Sequence, residues 1–258
     1  MAARTLRLGD TEVPRIGLGT NRLTDTRENR SFVAEAVAAG VGLVDTAHLY
    51  TGGQSEQAIG AALSPQPAGC VVATKGGFRP GEGRRDVLVA QIEESLRRLR
   101  TGRIDLYYLH RVDPETPLEE SLGAIAELRD AGKIGHVGIS EVGIAEIERA
   151  RKIVPVVAVQ NRYNLEEREH DEVIDHCERE GLAFVPFFPL RGDGGGAPAE
   201  IAARHGATAS QVKLAWLLRR SPAMLPIPGT LSLAHLRENL AALELELSGD
   251  EYDALQDA

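Results

Sequence analysis

Short apolar runs alternate with longer segments of helical period along this chain. Eight runs read as strands: Ile16–Leu18, Gly42–Thr46, Val71–Thr74, Ile104–His110, Ile134–Ile139, Val156–Gln160, Ala183–Phe187 and Met224–Ile227. Several are unbroken, such as VVAT, IDLYYL and VVAV, the pattern of strands buried on both faces in a parallel sheet. The segments between them are amphipathic. Arg84–Leu99 places Val87, Leu88, Ile92, Leu96 and Leu99 on one stripe with arginines and glutamates opposite. Pro117–Asp130 is expected to start after Thr116 as N-cap, with Glu119 three residues on, and to stop at Gly132. Asp171–Glu180 ends at Gly181 in the same way.

Strand and helix alternating in this way predict a parallel sheet with right-handed crossovers, and eight such units close into a ring. The expected fold is α/β, a (β/α)8 TIM barrel. Residues 4–13 (RTLRLGDTEV) read as an N-terminal β-hairpin with Gly9-Asp10 at its turn, closing the barrel floor. No shift in composition marks a linker, so residues 1–258 are read as one domain.

Composition narrows the function. The 258 residues are 43% hydrophobic and 26% charged, which excludes a disordered, collagenous or coiled-coil chain. Acidic residues outnumber basic ones by 38 to 29, a net charge of −9, so neither a nucleic acid nor an anionic membrane is expected as partner. Cys70 and Cys177 have no neighbour at metal-ligand spacing and read as buried free thiols of a reducing compartment. The N-terminus has no apolar leader pattern and no stretch reaches membrane-spanning length, so a cytoplasmic location is expected.

In a barrel of this kind, reactive groups lie at the C-terminal ends of the strands. Asp45 closes the second predicted strand and Tyr50 follows five residues later. Lys75 closes the third, His110 the fourth, Ser140 the fifth and Gln160 the sixth. Asp45 and Lys75 form the obvious ion pair, either as a structural bridge or as part of a catalytic set. His110 alone reads as a core histidine, and Tyr50 alone as a loop aromatic. Together they describe a device: a lysine cation favours a phenolate beside it, a carboxylate holds the lysine, and an imidazole orients a carbonyl oxygen. That set suits a general acid acting on a carbonyl during nucleophilic addition.

Other features are discounted. Gly17-Leu18-Gly19 lacks the third glycine of a dinucleotide loop, and RGDGGG (191–196) lacks the Lys-Ser/Thr of a phosphate loop. His170 and His176 are off metal-ligand spacing and read as surface residues. Trp216 reads as core, and ESLRRLRTGR as a solvated helix end.

The segments VDTAHLYTGGQSEQAIGAAL, VVATKGG, IDLYYLHRVDP, VGISEV and VQNRYN, in this order, resemble the aldo-keto reductase family from about residue 15 to about residue 243. The resemblance, to members with a short C-terminus, implies hydride transfer from a nicotinamide to an aldehyde or ketone, without a metal. Tyr50 would be the proton donor, Lys75 and Asp45 would tune it, and His110 would position the carbonyl. Gly19, Thr20 and Asn21 would line the cofactor channel together with Asp45. Ser140, Glu141 and Gln160 fall where the nicotinamide carboxamide is held, although Glu141 replaces an asparagine frequent in the family. Phe187 would stack on the nicotinamide, while Pro189, Leu190, Arg191 and Gly192 form the loop over the pyrophosphate.

IPGTLSLAHLRENL falls where the adenosine is gripped, bringing in Ile227, Gly229, Thr230, Ser232, His235, Glu238 and Asn239. NADP(H) is favoured as cofactor. Gly229 and His235 stand where cationic residues are frequent, which keeps NAD(H) as an option. The substrate is expected to be a small carbonyl compound in an open, shallow pocket near Asn21, Arg22, Leu49, Phe78, Arg111 and Val112. The two arginines favour a polar or anionic substituent. Two other readings stay open: a Schiff-base lyase using Lys75, and a cofactor-binding sensor with negligible turnover. A monomer or weak homo-oligomer is expected.

Overall fold

The computed structural model describes residues 4–257. A β-hairpin comes first, β1 (Thr5–Leu8) pairing antiparallel with β2 (Thr11–Pro14) across the Gly9-Asp10 turn. Gly9 has φ +64°, which explains glycine at the turn. Leu8 and Val13 are buried against Leu43, Val71, Leu106 and Ala183 of the sheet interior, so the hairpin plugs one end of the ring as expected.

Seven strands follow, all parallel and paired in chain order. They are β3 (Leu18–Gly19), β4 (Leu43–Asp45), β5 (Val71–Gly76), β6 (Ile104–Leu109), β7 (Ile134–Ser140), β8 (Val156–Gln160) and β9 (Ala183–Phe184). The helices between them are α1 (Arg27–Ala38), α2 (Gln54–Leu63), α3 (Arg85–Leu99), α4 (Leu118–Asp130), α5 (Ile144–Arg151) and α6 (Asp171–Glu180). After β9 come α7 (Ala197–His205), α8 (Ala209–Arg220), α9 (Leu233–Ala241) and α10 (Gly249–Gln256). A large apolar cluster lies between helices and sheet, and a smaller one fills the ring around Leu43, Ala73, Tyr108, Ala158 and Leu225. Cys70 and Cys177 are buried free thiols, both pushed up to about 12 by burial.

The eighth expected strand, Met224–Ile227, is a stave rather than a regular strand. On one side Leu225 donates to the Phe184 carbonyl at 2.8 Å and Ile227 to the Pro186 carbonyl at 3.3 Å. On the other side Pro226 and Pro228 accept from Gly17 at 3.0 Å and Gly19 at 3.2 Å. Pro226 and Pro228 have no N–H to return, so this second seam is reduced to an isolated parallel bridge between Gly19 and Gly229 and no extended ladder forms. The ring nevertheless closes. A Cβ on Gly19 would meet the Ile227 carbonyl oxygen at 2.7 Å, so the close approach of β3 and the stave requires glycine there.

Three local expectations are corrected. Helix α4 is capped by Pro117, not Thr116, because the Thr116 hydroxyl donates instead to Asp113 Oδ2 at 2.9 Å. His176 is not a surface residue: it lies on the buried stripe of α6 with Val173 and Cys177, its Nε2 3.2 Å from Glu148 Oε1. The end of α3 is only partly solvated. Arg97 is exposed, while Arg98 turns inward and keeps 14% of its side-chain exposure.

Candidate active site

The four residues singled out from the sequence converge at the C-terminal mouth of the ring. Asp45 ends β4 and Lys75 lies on the adjacent strand β5, both fully buried or nearly so. Lys75 Nζ donates to Asp45 Oδ1 at 2.6 Å and to the Thr46 carbonyl at 2.7 Å. The second oxygen of Asp45 accepts from Gln160 Nε2 at 2.8 Å, which ties β4 to β8 across the ring. Tyr50 begins a 3₁₀ turn, Tyr50–Gly53, just beyond β4. Thr51 takes a φ of +50° there and is held by its Oγ1 donating to the Leu23 carbonyl at 2.7 Å. This turn sets the Tyr50 ring 5.1 Å from Lys75 Nζ, close enough for the phenol to favour the ammonium. His110, immediately after β6, meets Tyr50 edge to face with ring centres 6.1 Å apart, and Phe78 at 4.8 Å.

Burial is the largest single influence on Lys75 and opposes its ammonium, but Asp45 and Tyr50 together outweigh it and hold the lysine above its usual value. For His110, burial and then the Lys75 charge act together, lowering its pKa from 6.5 to about 2. The imidazole is therefore neutral throughout the physiological range. Its Nδ1 is buried and has no hydrogen-bond partner among the described residues.

These groups open into a cleft of about 740 Å³. It takes in Gly19, Thr20 and Asn21 after β3, and Ser140 and Gln160 at the ends of β7 and β8. Phe187, Pro189, Leu190, Ile227 and Gly229 also line it, as does Arg22, while Leu49, Phe78 and Arg111 stand near Tyr50 and His110. A second cavity of about 570 Å³ adjoins it, sharing Arg22, Leu190 and Gly229. This one holds Thr230, Ser232, His235, Glu238 and Asn239 around the start of α9, where Ser232 Oγ accepts from the His235 amide at 3.4 Å.

Lys75, fully buried behind Tyr50, lines neither cavity. Three further expected site residues also lie apart from both. Glu141, at φ +56°, turns away, and its carboxylate accepts from the Arg162 amide at 2.7 Å. Gly192 packs on Glu166, and its carbonyl accepts from the Lys213 ammonium. Val112 is half-buried against the apolar layer between helices and sheet. Ser140 faces the cleft, with its hydroxyl donating to the Gln160 carbonyl at 2.7 Å.

Two groups escape sequence reasoning. Arg162 and Phe188 line the cleft, and Arg162 spans both Phe187 and Phe188 at 5.7 and 5.5 Å from their ring centres. The other is Glu56, fully buried on α2, accepting from Thr74 Oγ1 at 2.6 Å and pairing with Arg98 at 3.2 Å. Arg98 also donates to the His48 carbonyl at 3.0 Å, bracing the segment that leads to Tyr50. A signal was available: Glu56 falls at i, i+3, i+7 with Ile59 and Leu63, a carboxylate on a buried stripe.

The aldo/keto reductase family model matches residues 15–196 and 193–258. The pyridoxine 4-dehydrogenase of Escherichia coli is 37% identical over 283 residues, covering 99% of this chain and 98% of that protein. Among solved structures, a thermostable aldo-keto reductase crystallised with the inhibitor epalrestat superposes with a TM-score of 0.90 at 34% identity, covering 98% of each chain. An aldo-keto reductase from Klebsiella pneumoniae in complex with NADPH superposes with a TM-score of 0.88 at 29% identity, over 100% of this chain and 95% of that one. With matches of this extent in both sequence and fold, the chain belongs to the aldo/keto reductase family.

Proposed function

We propose that this protein reduces an aldehyde or ketone to an alcohol with NADP(H), using Tyr50 as general acid. The observation that carries this reading is the buried Asp45–Lys75 pair beneath Tyr50, with a neutral His110 alongside, at one end of a long cleft.

The residues present fit a dinucleotide. The cleft continues from Tyr50 past the Phe187 ring into the second cavity at the start of α9, two chambers joined through Arg22, Leu190 and Gly229. Phe187 offers a ring face, and Ser140 and Gln160 offer polar groups beside it. Thr230, Ser232, His235 and Asn239 offer donors at the far end. Bound along this path, the nicotinamide supplies a hydride to the carbonyl carbon.

The rest is the work of the chain. Tyr50 donates its proton to the carbonyl oxygen as charge develops there. The Lys75 ammonium stabilises the phenolate left behind, and Asp45, held by Gln160, fixes the ammonium in place. The neutral imidazole of His110 orients the carbonyl. A Schiff-base role for Lys75 fits poorly, because a nucleophilic amine must be uncharged and accessible, whereas this one is fully buried and kept cationic by Asp45.

Fluorescence titration with NADPH and with NADH, followed by a carbonyl panel read by loss of nicotinamide absorbance, tests the reading. Tight NADPH binding with oxidation on several aldehydes is expected. Binding without turnover would favour a sensor, and binding of neither nucleotide would sink the assignment.

A further inference from the structure

The cleft is basic in an acidic protein. Among its lining residues Arg22, Arg111, Arg162 and Arg191 face a single carboxylate, Asp45, which Lys75 already neutralises. The chain as a whole carries 38 acidic against 29 basic residues, so this positive field is local.

Of these arginines, Arg111 adjoins the proposed chemistry directly. It directly follows His110, and its guanidinium lies 5.4 Å from the centre of the Phe78 ring that packs on His110. Nη1 donates to the His110 carbonyl at 2.7 Å and to Ser140 Oγ at 3.3 Å. Those contacts hold the side chain on the wall of Tyr50 and His110 while occupying one end of the guanidinium. Arg162 has Glu167 at 2.9 Å, but no carboxylate among the described residues lies within ion-pairing distance of Arg111. Burial first, and the like charge of Arg162 besides, lower the pKa of Arg111 even though Glu141 and Tyr50 oppose them. A half-buried cation without a counter-ion is relieved by an anionic ligand, and a guanidinium matches a carboxylate in shape.

An anion here has two sources, the substrate and the dinucleotide phosphates. The second cavity, where Thr230, Ser232 and the start of α9 offer phosphate donors, is not lined by Arg111. We propose that Arg111 binds a carboxylate of the substrate, so that the protein acts on oxo acids whose carbonyl sits at Tyr50 and His110. This rests on the reductase reading of the same cleft. The carboxylate is unchanged in the reaction: the carbonyl carbon gains the hydride, its oxygen gains the Tyr50 proton, and a hydroxy acid leaves.

The test compares 4-carboxybenzaldehyde with 4-formylbenzamide, which share ring, carbonyl and shape but differ in charge, using the full chain and NADPH. The acid should be preferred by about tenfold or more in kcat/KM, mainly through KM, with the preference shrinking as salt is added. Arg111→Gln should bring the ratio close to one. Equal use of both aldehydes by the parent protein, or a preference surviving in Arg111→Gln, would overturn the proposal while leaving the reductase. So would a variant that loses NADPH affinity and slows both substrates alike, because Arg111 would then serve the cofactor. Thermal shifts with benzoate and benzamide read the site without turnover. A benzoate shift that needs Arg111, with neither aldehyde reduced, would overturn the reductase reading and the oxo-acid substrate with it, leaving only an anion site.

Discussion

Glu56 on α2 and Arg98 on α3 form an ion pair at 3.2 Å in which the carboxylate is wholly buried and the guanidinium nearly so. Arg97 beside it is exposed and pairs with the half-buried Glu94, which also binds Arg98 at 2.9 Å. Removing one partner of a buried pair strands the other, at a cost of about 3–5 kcal/mol, whereas an exposed pair contributes about 0–1 kcal/mol. Arg98→Met should therefore lower stability to urea far more than Arg97→Met. Equal losses in the two denaturation curves would show that the buried pair has no special weight.

Tyr50→Phe keeps the ring in its turn and removes only the hydroxyl. Reduction should fall by about 10²–10⁴ in kcat, while NADPH affinity measured by fluorescence stays near that of the parent. Turnover retained in this variant would break the assignment of Tyr50 as the acid.

His110 leads to a pH prediction. Its folded pKa is lowered from 6.5 to about 2, so between these values the unfolded chain binds a proton that the native protein does not. Stability from this group is fully present above the unfolded value and is lost as pH falls below it, by about 1.4 kcal/mol per pH unit. Replacing His110 by Gln should flatten the acid limb of the stability curve between about pH 6 and pH 4. By NMR the His110 ring should not titrate over that range, and a midpoint near 6.5 would contradict a buried neutral imidazole.

Much of this was written into local patterns. The unbroken runs VVAT and IDLYYL announced parallel strands, and the polar residues closing them announced the cluster at the mouth. The pattern gave less where side chains obey tertiary geometry. Glu141 aligns with cofactor-binding positions, yet its positive φ carries the carboxylate away to the Arg162 amide. His176 and Arg98 carry a surface-like polarity in the chain alone, because their partners, Glu148 and Glu56, lie on other helices. Arg162 had no sequence signal at all, since its place in the cleft depends on the chain doubling back to bring Phe187 and Phe188 beside it.

Gly19→Ala tests the closure of the ring. The added methyl would meet the Ile227 carbonyl oxygen at 2.7 Å, a backbone atom that cannot turn aside. A loss of about 1–3 kcal/mol is expected, read as a lowered Tm. Because Gly19 also lines the cleft, NADPH affinity should fall with it. An unchanged melting temperature would mean that the two backbones part without cost.

The stave with prolines at 226 and 228 makes the ring resemble a bracelet with a clasp. Its link to β3 is a single isolated bridge, Gly19 with Gly229, beside the Gly17 amide on Pro226, while Gly19, Ile227, Pro228 and Gly229 also bound the cleft. A molecule long enough to lie across both sides of that clasp acts as its pin, so occupancy and integrity are coupled. The amides of Gly17 and Gly19 should exchange with solvent sooner than those inside β5 and β6, and should slow when the cleft is filled.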